Sequence, residues 1–208
     1  LFLYSFDKKY LINKKMKKIL ILFLFMSQYS FGQVNFGLKG GIGDAWYNGG
    51  QGNQTIYPAF AAGGFMNYAF GKVSFQPELL FSHKGSSFLY NYVGYNQRAR
   101  SNSSLNYLEI PLSFHYSIND ADATPYFGMG LAPAILLFER NTFKYPDGTR
   151  ISNASYNANA VDLGYIITGG YKMDNFFVEA RVNLGLARVY PNSNIRNSVF
   201  MIMGGRKF

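Results

Sequence analysis

Ser113, His115 and Glu109 are the residues of this 208-residue chain whose types and spacing come nearest to acid–base or nucleophilic chemistry. Odd-numbered positions of one extended segment share a face. A hydroxyl, an imidazole and a carboxylate would therefore lie in line there, as when a base activates a nucleophile and an acid orients the base. Any strand with one polar side looks the same, and the only other histidine is His83, which falls on an apolar parity and reads as an interface residue. The chain has no cysteine, which excludes disulfides and thiolate metal sites. It also lacks paired histidines at metal-binding spacing, a phosphate-cradling glycine loop and a nucleotide fingerprint, so neither a metal nor a cofactor is expected.

Two larger charged sets stand out. Lys39, Glu78, Lys84, Glu109, Asp162, Lys172, Glu179 and Arg181 each alternate with apolar neighbours. If their parity faces a narrow interior, four acids meet four bases there; paired buried charges are tolerable where unpaired ones are costly. The expected role of this lumenal charge network is a salt-bridged plug that holds the fold rigid, with a proton or ion path as the functional alternative. Arg98, Arg100, Arg140, Lys144, Arg150, Arg188 and Arg196 form a basic rim in polar stretches, opposed only by Asp147, a local balance of +6. These stretches are rich in Tyr, Asn and Ser (Tyr90, Asn91, Tyr92, Tyr95, Asn96; Tyr145, Asn153, Tyr156, Asn157), a composition suited to recognition. The charge attracts lipopolysaccharide phosphates or an anionic partner surface.

The elements that must position these residues show as period-two alternation. Val34, Phe36, Leu38 and Ile42 share one side, as do Phe60, Ala62, Gly64, Met66, Tyr68 and Phe70, then Val73, Phe75, Leu79 and Phe81. Leu108, Ile110, Leu112, Phe114 and Tyr116 follow, then Val161, Leu163, Tyr165, Ile167 and Tyr171, then Val178, Ala180, Val182, Leu184 and Leu186, and last Ser198, Phe200, Ile202 and Phe208. Tyr126 to Phe138 is evenly apolar and its facing stays open. Eight segments result, each about the 9 to 11 residues of a tilted membrane strand or slightly more. Short turns are expected at Gly71-Lys72, Asn119 to Thr124 and Met173 to Asn175, and long loops at about 46–57, 85–103, 140–158 and 189–197. Long and short alternate strictly, which places all short turns and both ends of the array on one side.

At the amino end, Met16-Lys17-Lys18, the apolar run Ile19 to Met26 and Ser30-Phe31-Gly32 before Gln33 have the layout of a cleavable signal peptide over 16–32. Residues 1–15 read as a start-site artefact and 33–208 as the folded domain. The first 32 residues hold six lysines and one aspartate, so the remainder carries 14 bases and 10 acids, net +4 in place of +9. The apolar run is too short to span a bilayer as a helix, and a closed barrel is the other way to satisfy backbone groups in lipid. The expected fold is therefore all-β, an eight-stranded antiparallel transmembrane outer-membrane β-barrel with its termini in the periplasm and its longer loops outside. Phe208 reads as the aromatic assembly signal of the last strand. A soluble ligand-carrying barrel would turn the apolar parity inward, and alternation alone does not say which side is in.

The run Asn106-Tyr107-Leu108-Glu109-Ile110-Pro111-Leu112, the segment from Gln76-Pro77-Glu78 to Lys84-Gly85, the opening Phe36-Gly37-Leu38-Lys39-Gly40-Gly41 and Phe177-Val178-Glu179-Ala180-Arg181 resemble the PorT-like outer-membrane β-barrel family over essentially all of 34–208. The resemblance implies an eight-stranded outer-membrane barrel, and the family's named member is tied to type IX secretion and gliding. Such barrels usually carry an aromatic two residues before the terminal one; Arg206 stands there in this chain, and an arginine near the interface can snorkel.

The function read from the chain is a non-enzymatic structural or interaction component of the outer membrane, accessory to protein secretion or surface assembly. Its expected partners are outer-membrane lipid and lipopolysaccharide, the barrel-assembly machinery during biogenesis and a protein of the cell envelope; nucleic acid is not expected. Two alternatives stay open: a lipid-modifying enzyme built on Ser113 and His115, since barrels of this size include lipid A acyltransferases and deacylases, and a small pore.

Overall fold

The computed structural model describes residues 33–49, 53–91, 98–152 and 157–208. The signal peptide and the start-site artefact lie outside the described residues, as do Tyr92, Tyr95, Asn96, Asn153 and Tyr156. The strands are, in chain order, β1 (Gln33–Asn48), β2 (Asn53–Thr55), β3 (Tyr57–Phe70), β4 (Val73–Asn91), β5 (Arg98–Glu109), β6 (Leu112–Ser117), β7 (Ala123–Lys144), β8 (Arg150–Ser152), β9 (Val161–Met173), β10 (Phe176–Gly185) and β11 (Arg196–Lys207). Among the described residues no helix is long and apolar enough to cross a membrane.

All pairings are antiparallel: β1 with β3, β2 and β3 with β4, β4 with β5 and β6, these two with β7, β7 with β8 and β9, β9 with β10, and β10 with β11, which returns to β1 with Gly37 opposite Lys207 and Asn48 opposite Arg196, closing the ring. With β2 and β3, β5 and β6, and β8 and β9 counted as interrupted single staves, the ring has eight. Closure leaves no strand edge to be solvated, which suits a barrel in lipid.

The ring turns its apolar parity outward. Phe36, Ile42, Leu79, Phe114, Phe127, Val161 and Ile202 are exposed, whereas Lys39, Glu78, Glu109, Asp162, Glu179 and Arg181 are buried inside. This is the opposite of the soluble ligand-carrying arrangement. It also resolves β7. Thr124, Tyr126, Ala132 and Ala134 face in and Phe127, Met129, Leu131 and Ile135 face out, until a β-bulge opposite Asn106 and Tyr107 changes the register. Beyond the bulge Phe138 and Arg140 are exposed and Asn141 is buried. One extra residue reverses the parity, so no single alternation could be read across Tyr126 to Phe138.

Pro111 separates β5 from β6 because it has no amide to give the ladder. The frame continues through its carbonyl, which accepts the Glu78 amide at 2.9 Å, and through the Ile110 amide, which donates to Pro133 O at 2.8 Å. The turns at Gly71-Lys72 and Asp174-Asn175 are tight, with Gly71 at φ 63° and Asp174 at φ 49°, the left-handed backbone that two-residue hairpins need.

Among the described residues, three of the long loops expected from composition are mostly strand. β1 runs to Asn48, β4 continues to Asn91, β5 starts at Arg98, β7 reaches Lys144 and β8 folds back on it. β4 has 19 residues and β7 has 22, roughly twice what a bilayer requires, so these strands project beyond the belt. A projecting sheet needs no apolar row. Its Ser, Asn and Thr residues pair across strands instead, as where Ser87 Oγ donates to Asn102 Oδ1 at 2.7 Å, and low hydropathy therefore imitated a loop.

Candidate functional site

The lumen is built by the inward parity of β1, β4, β5, β9 and β10. Lys39 Nζ lies 3.1 Å from Glu78 Oε1 and 2.6 Å from Glu179 Oε1. Arg181 grips Glu78 with both terminal nitrogens, at 2.9 and 2.7 Å, and reaches Glu179 at 3.0 Å. Paired hydrogen bonds of this kind fix a guanidinium as well as neutralise it. The remaining carboxylate capacity is taken by Gln76 Nε2, which donates to Glu78 at 2.8 Å, and Tyr126 Oη, which donates to Glu179 at 2.8 Å. Asn67 in turn donates to Gln76 at 3.1 Å. This cluster balances two acids with two bases, and the side chains of Lys39, Glu78 and Glu179 are wholly buried.

A second cluster lies toward the long-strand end. Lys84 pairs with Glu109 and stands 3.3 Å from Asp162 Oδ2, with its ammonium 4.7 Å from the centre of the Tyr107 ring. One base faces two acids here, and Asp162 is held by further donors, the Leu163 amide at 2.9 Å and Asn197 Nδ2 at 2.9 Å. Between the clusters a cavity of about 20 Å³ touches Ser82, Lys84, Glu109, Arg181 and Asn183, room on the order of one water molecule. Lys172, expected among these charges, stands apart. It sits one residue from the end of β9, half-buried at the short-turn mouth, and forms no ion pair with a described residue. The packed lumen thus holds four acids and three bases, because strand position as well as parity decides which charges meet.

Aromatic layers bracket the charges. Phe65, Tyr126 and Phe177 form a buried collar toward the short-turn end, with Lys39 Nζ 5.3 Å from the Phe177 ring centre. Phe65 lies directly across from Gly37, Tyr126 from Gly170 and Phe177 from Gly205. A β-carbon on these glycines would come within 2.3, 2.5 and 2.3 Å of the respective rings. The glycine pairs at 40, 63 and 169 divide the same way: lumen-facing Gly41, Gly63 and Gly170 are tightly covered, whereas Gly40, Gly64 and Gly169 have ordinary contacts. At the other end Tyr47, Phe88, Leu105, Tyr107 and Val189 form a second buried cluster. Tyr47 Oη donates to Ser103 Oγ at 2.8 Å, and Ser103 meets Tyr190 Oη at 2.9 Å.

Ser113 and His115 come together, with Oγ 3.0 Å from Nε2. Glu109 does not join them, being turned to Lys84. The Ser113 hydroxyl also reaches the Gln76 carbonyl at 3.2 Å, and the His115 ring stacks on Tyr126 with centroids 5.2 Å apart. His115 lines a polar cavity of about 300 Å³ that opens among the short turns, beside Lys72, Lys172, Lys207 and Asp122. His83 is half-buried on the outward side, 2.8 Å from Asn106 Oδ1 and stacked on Phe60. Among the described residues no group of acidic or imidazole side chains could hold a metal ion.

The seven basic rim residues are all exposed but do not form a ring. Arg98, Arg100, Arg140, Lys144 and Arg150 lie on the projecting β5–β7–β8 sheet, while Arg188 precedes β11 and Arg196 begins it, opposite Asn48 of β1. Asp147 is engaged by its own turn, accepting from the Thr149 amide at 2.8 Å; these hydrogen bonds hold its carboxyl below the usual range. Phe208 continues the ladder through its amide to Phe36 O at 2.8 Å, and the Arg206 guanidinium lies 5.3 Å from the Phe176 ring and 5.8 Å from that of Phe208.

Reading the alternation alone misses Tyr126, Asn197 and the Asn67–Gln76 relay. Tyr126 was hidden by the bulge in β7, and the amides carry no charge to mark them.

No curated protein sequence matches the chain. Among solved structures it is similar to Neisserial surface protein A (NspA), at 16% identity over 85% of this chain and 99% of the other, with a TM-score of 0.49. Ail, the attachment invasion locus protein of Yersinia pestis, is similar at 12% identity over 85% and 99%, TM-score 0.42. The N-terminal barrel domain of Pseudomonas aeruginosa OprF is similar at 18% identity over 85% and 99%, TM-score 0.35. The model of the outer membrane protein beta-barrel domain family matches residues 25–190. Together with the closed eight-stave ring and its outward apolar belt, that match makes the chain a member of this family, a β-barrel of the bacterial outer membrane.

Proposed function

We propose that this barrel is a non-enzymatic structural or interaction component of the outer membrane, of PorT-like type and accessory to protein secretion or surface assembly. The observation that carries this reading is the contrast between a lumen filled by ion pairs and aromatic layers and a projecting sheet of exposed polar and basic residues. An eight-stranded barrel is just wide enough for side chains to fill, and in this one they are locked to each other. What is left for contact with other molecules is the surface. The PorT-like assignment rests on the Asn106-to-Leu112 run and its companions, and the secretion role rests on that assignment.

The orientation belongs to the same proposal. The tight turns, β1's start and β11's end share one mouth, the long strands the other, and in such barrels short turns are periplasmic. The barrel-assembly machinery then reads the last strand with Phe208 as its signal. A lipid-modifying enzyme is disfavoured by the position of Ser113 and His115 near the short turns, away from the outer leaflet, and by Glu109 being committed to Lys84. A pore is disfavoured by the buried ion pairs.

The test is to tag the protein away from Phe208, extract it gently from native outer membrane and identify co-purifying proteins by mass spectrometry. A reproducible envelope protein partner is expected; recovery with lipid alone would overturn the accessory role. Lipid A mass with and without the protein should be unchanged, and an altered acyl pattern would instead establish the enzyme.

A further inference from the structure

Three cations stand in register across three adjacent strands of the projecting sheet: Arg100 of β5 lies directly opposite Lys144 of β7, which lies directly opposite Arg150 of β8. All three are exposed. Neighbouring strands are about 4.8 Å apart, so the row places three positive charges within about 10 Å. Like charges directly across a ladder repel and destabilise it, and nothing in the fold requires them there. The buried side of the same strands is marked by Ala99, Ser103 and Asn141, which puts the row, with Arg98 and Arg140, on the outward side. No described outward-facing residue of β4, β5, β7 or β8 in this projecting sheet is acidic. Asp147 is occupied within its turn, and Glu139 turns to Tyr190, Asn141 and the Ala158 amide.

Directly below on the same strand is the apolar belt. Ile135, Leu137 and Phe138 are each about half exposed, and Arg140 follows Phe138 by two residues, about 7 Å. A molecule that lies against β7 thus meets hydrocarbon first and then a rising series of cations. The geometry points to a recognition surface on β5, β7 and β8 for a phosphorylated glycolipid of the outer leaflet: its acyl chains lie on Ile135, Leu137 and Phe138, and its phosphates are taken by Arg140 and the Arg100–Lys144–Arg150 row. Guanidinium groups suit this because they bind phosphate oxygens in pairs. The ligand relieves the repulsion in the row, so binding and sheet stability are coupled. This inference rests on the proposed orientation, with the projecting sheet on the outer side.

The experiment separates the two. The chain has no cysteine, so Thr149→Cys supplies a single thiol at the exposed β7–β8 turn. Labelling of this thiol in whole cells by a membrane-impermeant maleimide is expected; failure to label would overturn the orientation and the site with it. The intact barrel, purified in mild detergent, is then titrated with lipopolysaccharide and with the same lipid after phosphatase treatment. The wild type should bind the phosphorylated form about tenfold or more tightly, as expected for several charge-assisted contacts; equal binding overturns the proposal. The Arg100→Gln/Lys144→Gln/Arg150→Gln variant, whose fold is checked by the difference in gel mobility between unboiled and boiled samples, should lose that preference, whereas Arg188→Gln/Arg196→Gln should keep it. A folded triple variant that still discriminates, or a double variant that does not, overturns the assignment to this row. Inorganic phosphate at matched concentration should not displace the lipid; displacement would make the row a free-anion site and overturn the glycolipid.

Discussion

The lumen and the projecting sheet use the same antiparallel ladders and oppositely arranged charges. Inside, Lys39, Glu78, Glu179 and Arg181 are buried in contact with their opposites; on the sheet, Arg100, Lys144 and Arg150 are exposed beside their likes. Desolvation explains the first pattern, since a buried ion without a partner is far more costly than a paired one. Water explains how the second is tolerated, because screening weakens repulsion at a surface. The difference teaches that charge in this barrel is structural where it is dry and available for contact where it is wet.

The contrast can be broken most severely at Arg181. Arg181→Met leaves Glu78 and Glu179 to share Lys39 alone, and the loss should be about 3–5 kcal/mol, read as a lower folding yield and a lower urea midpoint for heat-modifiable mobility. Glu109→Gln, which takes the closest partner from Lys84, should act in the same direction. Neither should alter single-channel current; a variant that folds normally and conducts differently would make the lumen a pathway.

The aromatic collar gives the next effect. Gly37→Ala drives a methyl into the Phe65 ring and should cost about 1–3 kcal/mol by the same measurement, whereas Gly40→Ala, with contacts no nearer than 3.5 Å, should be close to neutral. Ser103→Ala removes the hydroxyl between Tyr47 and Tyr190 and should cost about 1 kcal/mol. Smallest is the row itself. Without lipid, Arg100→Gln should change stability by no more than about 0.5 kcal/mol, toward greater stability; a large destabilisation would show that the exposed cations are structural too, and would erase the contrast.

Sequence periodicity carried most of the barrel because a strand between lipid and a packed interior must alternate, and the parity of Val34 to Ile42 or Val178 to Leu186 has no competing reading. The β7 strand was illegible since its bulge reverses parity within one apolar run. The projecting parts of β4, β5 and β7 have the composition of loops because a sheet wet on one side need not look apolar. Charge type and parity nominated the members of the lumenal network, but not Lys172's separation from it, nor Tyr126 and Asn197 within it.

By itself, then, the sequence determined that the chain holds eight strand-like segments, which residues share a side in seven of them and where the tight turns fall, since these depend on neighbours along the chain. Only the tertiary structure decided that the apolar side faces out, that Glu109 goes to Lys84 and not to His115, and that Arg100, Lys144 and Arg150 fall in one row. Those outcomes depend on ring closure and strand register, which bring together residues far apart in the chain, 25 positions for Lys84 and Glu109 and 44 for Arg100 and Lys144, and local pattern holds no record of them.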